Sequence, residues 1–274
     1  MINRYTRRTL ALEVGLWVLA IAFVLPLFAL LNLSLKAPHN GSGAFVIAGQ
    51  YSFENFGRAW VDGRLGPALL NSAVVAVVSI ALILLVASLA AYPLARLGSR
   101  WSRGTFLLFM VGLVIPAQLG VLPLFLSMRD LGLNGSLTSV ILAGAGSSIP
   151  FAVFIITMFL RDSPTDYEEA AALDGCGPLR TFWHIVVPLL RPAIGTVAIL
   201  NVISIWNSFF IPLLFLSGTG NETLPVRISG FVRTYFADWP AVFAALVISA
   251  VPILIAYFLL QKYIIQGFAG GLKG

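Results

Sequence analysis

The sequence predicts an all-α protein that crosses a membrane six times, and three observations support this fold class. First, 59% of the 274 residues are hydrophobic and only 10% are charged, with a mean hydropathy of +0.94, whereas soluble domains carry charge on roughly a quarter of their residues. Second, the charged residues leave six uncharged intervals of 22 to 31 residues, and a membrane-spanning helix needs about 20. Third, these intervals are apolar on every side, whereas the strands of a membrane barrel alternate.

Six transmembrane helices follow from these intervals, within one membrane domain over 14–265. Their predicted bounds are about 14–34, 69–95, 105–127, 137–160, 191–215 and 241–264. The first span follows a basic N-terminus over 1–13 and resembles a secretory signal. We expect it to be a retained helix, because it is about 20 residues long and no small-x-small cleavage site closes it.

The distribution of Lys and Arg predicts the orientation. In a six-helix chain the two termini and the second and fourth loops lie on one side. That side carries eleven of the 17 basic residues and the opposite side carries six. The positive-inside rule therefore predicts that both termini are cytoplasmic. It also places the loop 161–190 and the tail 266–274 in the cytoplasm.

Several function classes are disfavoured by what the sequence lacks. No Asp, Glu, Lys or Arg lies within the six intervals, whereas an ion-coupled carrier usually keeps an ionisable residue there. There is no phosphate-binding loop, so the chain is not expected to hydrolyse ATP. The basic residues form no dense run, which argues against a nucleic-acid partner, and the single Cys176 can form no intrachain disulfide. We predict neither enzymatic activity, nor a metal site, nor a cofactor on this chain. An ion-coupled carrier and a non-transporting membrane scaffold remain as alternatives.

Uncharged polar residues inside the intervals are candidates for a solute path. The strongest are Trp206 and Asn207, followed by Asn71 and Gln118. An indole face beside an amide suits the mixed apolar and hydroxyl surface of a sugar. For any one of these side chains, a hydrogen bond between helices is the simpler explanation.

The loop 161–190 is polar but carries the signals of ordered structure. Ser163–Asp166 offers a capping hydroxyl, then proline at the first helical position and an acid. Ala170–Ala172 favour a helix, and Gly175 is a natural left-handed terminator. A second helix can begin at Gly177-Pro178. A plain solvated loop is the alternative, but we favour a helix–glycine–helix element that docks on another protein, with Glu169 offering a charge beside the small alanines.

This loop resembles the signature of permease subunits in binding-protein-dependent ABC importers. The signature is Glu-Ala-Ala, a glycine four residues on, and Ile-x-x-Pro after nine more. It is matched by Glu169, Ala170, Ala171, Gly175, Ile185 and Pro188. Stretches such as YSFENFGRAW and IWNSFFIPLLFLS extend the resemblance over 14–274, to the carbohydrate-uptake branch and its smaller six-helix permease of the maltose-importer type. The departures are Cys176, Val187 and Ser208, which stand where alanine, leucine and an acid are usual.

The resemblance implies partners and roles. A second, different permease subunit would share the translocation path, two ATPase subunits would use ATP and Mg, and an extracytoplasmic binding protein would deliver a sugar or oligosaccharide. The ATPase-coupling residues would be Glu168, Glu169, Ala170, Ala171, Asp174, Gly175, Ile185 and Pro188, with Gly270–Gly274 in a secondary contact. The chain would lie, surrounded by lipid, in the inner (plasma) membrane of a prokaryote. A non-sugar solute is the alternative substrate.

Overall fold

The computed structural model describes residues 7–37, 43–47, 49–232 and 238–270, and over these ranges the protein is almost wholly helical. The extended pairing within them is an isolated antiparallel bridge between Lys36 and Tyr51. The prediction of an all-α fold is confirmed. In chain order the helices are α1 (Arg7–Ser34), α2 (Glu54–Asp62), α3 (Leu65–Arg96), α4 (Arg100–Val114), α5 (Val121–Asp130), α6 (Leu137–Asp162), α7 (Asp166–Leu173), α8 (Pro178–Thr181), α9 (Val187–Leu189), α10 (Arg191–Trp206), α11 (Phe210–Leu216), α12 (Leu224–Val232) and α13 (Trp239–Gly270).

Within the described residues, α1, α3, α6 and α13 are each long and apolar enough to cross a membrane. Two bent pairs bring the number of spans to as many as six. One joins α4 to Ala117–Asp130 at 94°, and the other joins Pro178–Leu189 to α10 at 69°. The protein is therefore a multi-pass membrane protein. The side on which the termini lie stays a prediction, and residues 271–274 of the predicted tail lie outside the described residues.

The predicted span 105–127 is broken in the structure at Ile115 and Pro116. The ring of a proline disfavours helical backbone in the residue before it, and Ile115 is extended, with ψ of 122°. Pro116 is extended as well, with ψ of 122°, and a 3₁₀ turn over Ala117–Gly120 leads into α5. One uncharged interval therefore holds two helices in different directions.

The predicted span 191–215 is also interrupted. Helix α10 ends at Trp206, and α11 begins at Phe210. Asn207 lies at the break, and its side-chain amide donates to the Ile203 carbonyl at 2.8 Å, the carbonyl that also accepts its backbone N–H. Local hydrogen bonds of this kind compete with helix continuation, which explains why the helix stops here.

The chain divides into two compact units, and the first comprises the described parts of Met1–Gly66 and Arg227–Val251. The Asn55 amide is fully buried and donates to the carbonyls of Ser34 and Lys36 at 3.0 and 2.6 Å. The fully buried Lys36 ammonium donates to the Gly43 carbonyl at 2.7 Å. Arg58 forms an ion pair with Asp238. Polar contacts therefore hold together the chain that follows α1.

The second unit comprises Pro67–Val226 and Pro252–Gly274. Helix α6 lies at its centre and packs against α4, α10 and α11. The buried face of α3 is rich in small side chains at helical spacing, namely Ala68, Ser72, Ala76, Ser79, Ala87 and Ala91. Small residues allow membrane helices to approach closely, and the Ser79 hydroxyl reaches the Ile141 carbonyl of α6. This unit contains all the predicted site residues.

Candidate functional site

The loop after α6 begins with a change of helix rather than with an irregular segment. The prediction that Ser163 caps the next helix is wrong, because Ser163 ends α6 and its hydroxyl donates back to the Phe159 carbonyl at 2.8 Å. Thr165 occupies the cap position of α7, and its hydroxyl donates to Glu169 at 2.7 Å instead of accepting a backbone N–H. Three acids in the first turn of α7 complement the helix dipole.

The end of α7 is a Schellman motif built on Gly175. The Cys176 N–H donates to the Ala171 carbonyl at 2.9 Å, and the Gly175 N–H donates to the Ala172 carbonyl at 3.1 Å. Gly175 has φ of +79°, the left-handed backbone that this motif requires and that glycine adopts without strain. The prediction of Gly175 as a left-handed terminator is confirmed.

The second helix of the loop starts where the sequence predicts it. Gly177 is the cap residue and Pro178 the first helical residue of α8. A π-helical turn over Phe182–Val186 follows and leads through α9 into α10. Phe182 is buried, and its ring lies 5.5 Å from Tyr92 and 5.1 Å from Trp183. The aromatic residues of the loop are thus divided between the interior and the surface.

Glu168 fastens α7 to the end of α3. The Arg96 guanidinium donates to the Glu168 carboxylate from Nε at 2.9 Å and from Nη2 at 2.7 Å. Its Nη1 donates to the carbonyls of Leu160 and Ser163 at 2.6 and 3.3 Å. Tyr92, one turn earlier in α3, lies close enough to the same carboxylate to interact with it electrostatically. The side chains of Arg96 and Glu168 are only 15% and 12% exposed. One guanidinium therefore joins α3, the end of α6 and α7.

A second arginine strengthens the same region. Arg161 in the last turn of α6 donates to the Leu94 carbonyl at 3.3 Å, and its guanidinium carbon lies 4.5 Å from the centre of the Phe106 ring in α4. Cation–π contacts of this kind add stability where they are partly desolvated. The ends of α3 and α6 and the first half of α4 are thus linked at the base of the loop.

The outward side of the loop is exposed and partly apolar. Glu169, Ala170, Asp174, Gly175 and Pro188 are exposed, Ile185 is half-buried and Ala171 is buried. Leu173 is 90% exposed, with Tyr167 and Leu179 nearby in the sequence at 62% and 72%. Large apolar side chains exposed together mark interaction surfaces more often than plain solvated loops. Glu168 differs from the other two acids of the predicted coupling set, Glu169 and Asp174, because its carboxylate points into the protein.

Arg96 and Tyr92 are functional candidates that the sequence did not reveal. In the sequence, Arg96 contributes only to the count of basic residues that predicts the orientation of the chain. Nothing in the order of residues relates it to Glu168, which lies 72 positions later. The one signal was the sequence of α3, which places Tyr92 and Arg96 on one helix face four residues apart.

The predicted path residues have different environments in the structure. Trp206 is buried, and the Asn207 amide is engaged with its own helix. The Asn71 amide donates to the Glu222 carbonyl at 3.2 Å. Gln118 lines an open cleft of about 840 Å³ in the second unit. In this structure the burial of Trp206 contributes to packing, and the amides of Asn207 and Asn71 form hydrogen bonds within the bundle.

The cleft lies between the two breaks in the helices. Its lining includes Ile115–Gln118 from the first break, Ser208–Phe210 from the second, and Ser147 and Ser204 from α6 and α10. A smaller cavity of about 80 Å³, also lined by Ser147, Ser204 and Ser208, adds Ser148. Among the described residues, no three of His, Cys, Asp and Glu are grouped closely enough to hold a metal ion.

Comparisons with known proteins extend these observations. Residues 83–270 match the family model described as the binding-protein-dependent transport system inner membrane component. The chain is 32% identical over 259 residues to the melibiose/raffinose/stachyose import permease MelC of Bacillus subtilis, covering 94% of both chains. It is 31% identical over 269 residues to the diacetylchitobiose uptake permease NgcG of Streptomyces coelicolor, covering 97% of this chain and 89% of NgcG.

A solved structure shares the fold. It is a chain of a bacterial ABC transporter that imports the acidic polysaccharide alginate, with a TM-score of 0.84 at 23% identity, covering 95% of this chain and 99% of that one. The family match covers well over half of the chain and agrees with the signature in the loop. The chain therefore belongs to the family of binding-protein-dependent transport system inner membrane components, the permease subunits of ABC importers.

Proposed function

We propose that this chain is one of two permease subunits of an ATP-driven sugar importer, and that it contributes half of the translocation path for a neutral sugar or oligosaccharide. The names of MelC and NgcG support a sugar as the substrate. The uncharged lining of the cleft supports a neutral solute. A different permease subunit, two ATPase subunits that use ATP and Mg, and an extracytoplasmic binding protein complete the transporter.

The observation that carries the coupling role is the division of α7 into an attached side and an exposed side. Glu168 and Ala171 hold the helix to the membrane bundle, whereas Glu169, Ala170 and Leu173 are exposed. A helix that is fixed on one side can transmit a displacement applied to the other. The ATPase would grip the exposed side, and its closure on ATP would move the ends of α3 and α6.

The experiment tests the exposed side directly. We expect Glu169→Lys to leave membrane insertion unchanged, because Glu169 is exposed and, among the residues that the structure describes, its side chain hydrogen-bonds only Thr165. Solute uptake and stimulation of ATP hydrolysis should both fall in the purified transporter. Gly175→Pro should act in the same way by removing the left-handed end of α7. Normal uptake and normal ATPase stimulation in both variants would refute the coupling role.

Co-purification in mild detergent is the complementary test of the assembly. We expect an ATPase and a second permease subunit to be recovered with this chain. Asp130→Lys is a suitable control for Glu169→Lys, because Asp130 is also exposed but lies in α5, far along the chain from the loop. Loss of the ATPase with Glu169→Lys but not with Asp130→Lys would place the contact on α7.

A further inference from the structure

We infer that the cleft between the two helix breaks is a water-filled solute site, in which Gln118, Ser204 and Ser208 contact the hydroxyl groups of a neutral sugar and Phe209 and Phe210 contact its apolar faces. This inference deepens the proposed function and rests on it. The site differs from the path predicted from sequence, since it retains Gln118 but replaces Trp206, Asn207 and Asn71 with serines.

The first argument comes from backbone hydrogen bonding. A helix end leaves its last carbonyls without partners in the helix, and unpaired backbone groups are very unfavourable in hydrocarbon. Non-helical backbone at membrane depth is tolerated where it lines a water-filled cavity or is buried in protein. Helix α4 ends at Val114 and α10 ends at Trp206, and both breaks open on the same cleft. Water or a hydroxyl-rich solute in the cleft could donate hydrogen bonds to the last backbone carbonyls of both helices.

The second argument comes from the side chains. A serine in a membrane helix commonly donates to a carbonyl in the preceding turn, as Ser147 does to Gly144 at 3.0 Å. In the part of the chain that the structure describes, the side chains of Gln118, Ser204 and Ser208 form no such bond. Their hydroxyl and amide groups remain available for a solute.

The third argument concerns the chemical class of the ligand. None of the residues lining the cleft is ionisable, so the site offers no counter-charge to a carboxylate, phosphate or ammonium group. Hydroxyls and an amide can both donate and accept, which matches a sugar hydroxyl. The rings of Phe209 and Phe210 provide flat apolar surfaces beside them. The volume of about 840 Å³ lies within the range of small-molecule sites, about 300–1,000 Å³.

The test measures whether water reaches the cleft. The full transporter is reconstituted in proteoliposomes with Cys176→Ser, which removes the one cysteine of this chain, and the reaction is followed on this chain after the subunits are separated. Single variants Ser204→Cys and Ser208→Cys are then compared with Val77→Cys, a control on the exposed, wholly apolar face of α3. The probe is a small, permanently charged methanethiosulfonate, which modifies thiols in water but not thiols in lipid or in packed protein.

We expect both cleft cysteines to react at least about tenfold faster than Val77→Cys. Modification of Ser208→Cys should then reduce uptake, whereas treatment of Val77→Cys with the same reagent should leave uptake unchanged. Uptake is measured with melibiose, raffinose, stachyose and diacetylchitobiose. Cleft cysteines that react as slowly as Val77→Cys would overturn the inference, and would indicate that lipid or a partner helix fills the cleft. Rapid modification with unchanged uptake would overturn it as well.

The two levels of the proposal fail in different ways. If the cleft cysteines react rapidly but the transporter accumulates none of the four sugars, the sugar assignment of the proposed function is wrong, whereas the water-filled cleft is supported. If the unmodified transporter takes up a sugar but the cleft cysteines are unreactive, the sugar assignment is retained and the solute site is refuted.

Discussion

Replacing Glu168 with Gln should detach the coupling loop from the membrane bundle without removing its exposed surface. The variant keeps the shape of the side chain and one hydrogen-bond acceptor, but it removes the charge that faces Arg96 at 2.7 Å. The guanidinium would then keep neutral acceptors, namely the carbonyls of Leu160 and Ser163 and the amide oxygen of the glutamine, but it would lose the charge of Glu168. We expect α7 to separate from α3 more often, because its strongest link is weakened.

The magnitude follows from the burial of the pair. Removing one partner of a buried ion pair costs about 3–5 kcal/mol, whereas an exposed pair is worth about 0–1 kcal/mol. The side chains of Arg96 and Glu168 retain 15% and 12% exposure, and glutamine still accepts a hydrogen bond. The expected cost is therefore about 2 kcal/mol, which corresponds to about a 30-fold larger population of the detached loop.

Two measurements on the reconstituted transporter test this prediction. Amide hydrogen exchange over Asp166–Leu173 should become at least about tenfold faster, and the amount of solute carried per ATP hydrolysed should fall. The matched control is Arg129→Gln. Arg129 forms an ion pair with Asp130 at an N···O distance of 3.0 Å, similar to the 2.7 Å of the Arg96–Glu168 pair, but its side chains are 59% and 68% exposed. Glu168→Asp should be intermediate. Unchanged exchange and unchanged coupling in Glu168→Gln would show that the ion pair does not hold the loop.

Two further predictions concern glycines. Gly175→Ala should destabilise the end of α7 by about 1–2 kcal/mol, because alanine at φ of +79° strains the backbone although its methyl group would meet no other atom. Gly177→Ala, with φ of −70° and open space around it, should cost less and only through the weaker cap of α8. Equal melting temperatures and equal ATPase stimulation in the two variants would contradict this. Gly63→Ala should lower the melting temperature, because its new methyl group would clash with the Ala59 backbone carbonyl and would lie 2.5 Å from the Phe231 ring. Phe231→Leu should restore only part of the loss, because the contact with the backbone remains, and Gly57→Ala, with nothing within 4 Å, is the control.

The helices that cross the membrane could be predicted because charge is so costly in hydrocarbon. Six intervals without Asp, Glu, Lys or Arg are a strong signal, and α3 and α6 lie within or just beyond two of them. The breaks at Pro116 and Asn207 were not predicted, because the absence of charge does not report the direction of the chain. Several membrane helices of this chain contain a proline and continue through it. The bend of 94° shows that the helix ends at Pro116 instead.

The local structure of the coupling loop was partly predictable. Gly175 and Pro178 have conformational requirements that depend on neighbouring residues alone, so the end of α7 and the start of α8 follow from sequence. Ser163 was misassigned because a hydroxyl between two helices can serve the end of one or the start of the next. Local sequence does not decide between them, and the geometry at Phe159 does.

Contacts between distant parts of the chain determine the environment of each candidate site residue, and the sequence does not report such contacts. Glu168 and Glu169 are adjacent acids in one motif, and both were predicted to contact the ATPase. Only the position of Arg96 reveals that one of them faces inward. In the same way, Gln118 and Ser208 gain their significance from two helix breaks that meet in space.

The opposite orientation of these two neighbouring carboxylates has a consequence for evolution. Glu168 interacts with Arg96 and Tyr92 of the same chain. A change at one of these positions can therefore be compensated by a second mutation in the same gene. If Glu169 meets the ATPase, its compensating changes must arise in another gene. We therefore expect that exchanging ATPases between related transporters will select new residues at position 169, while position 168 changes only together with 96.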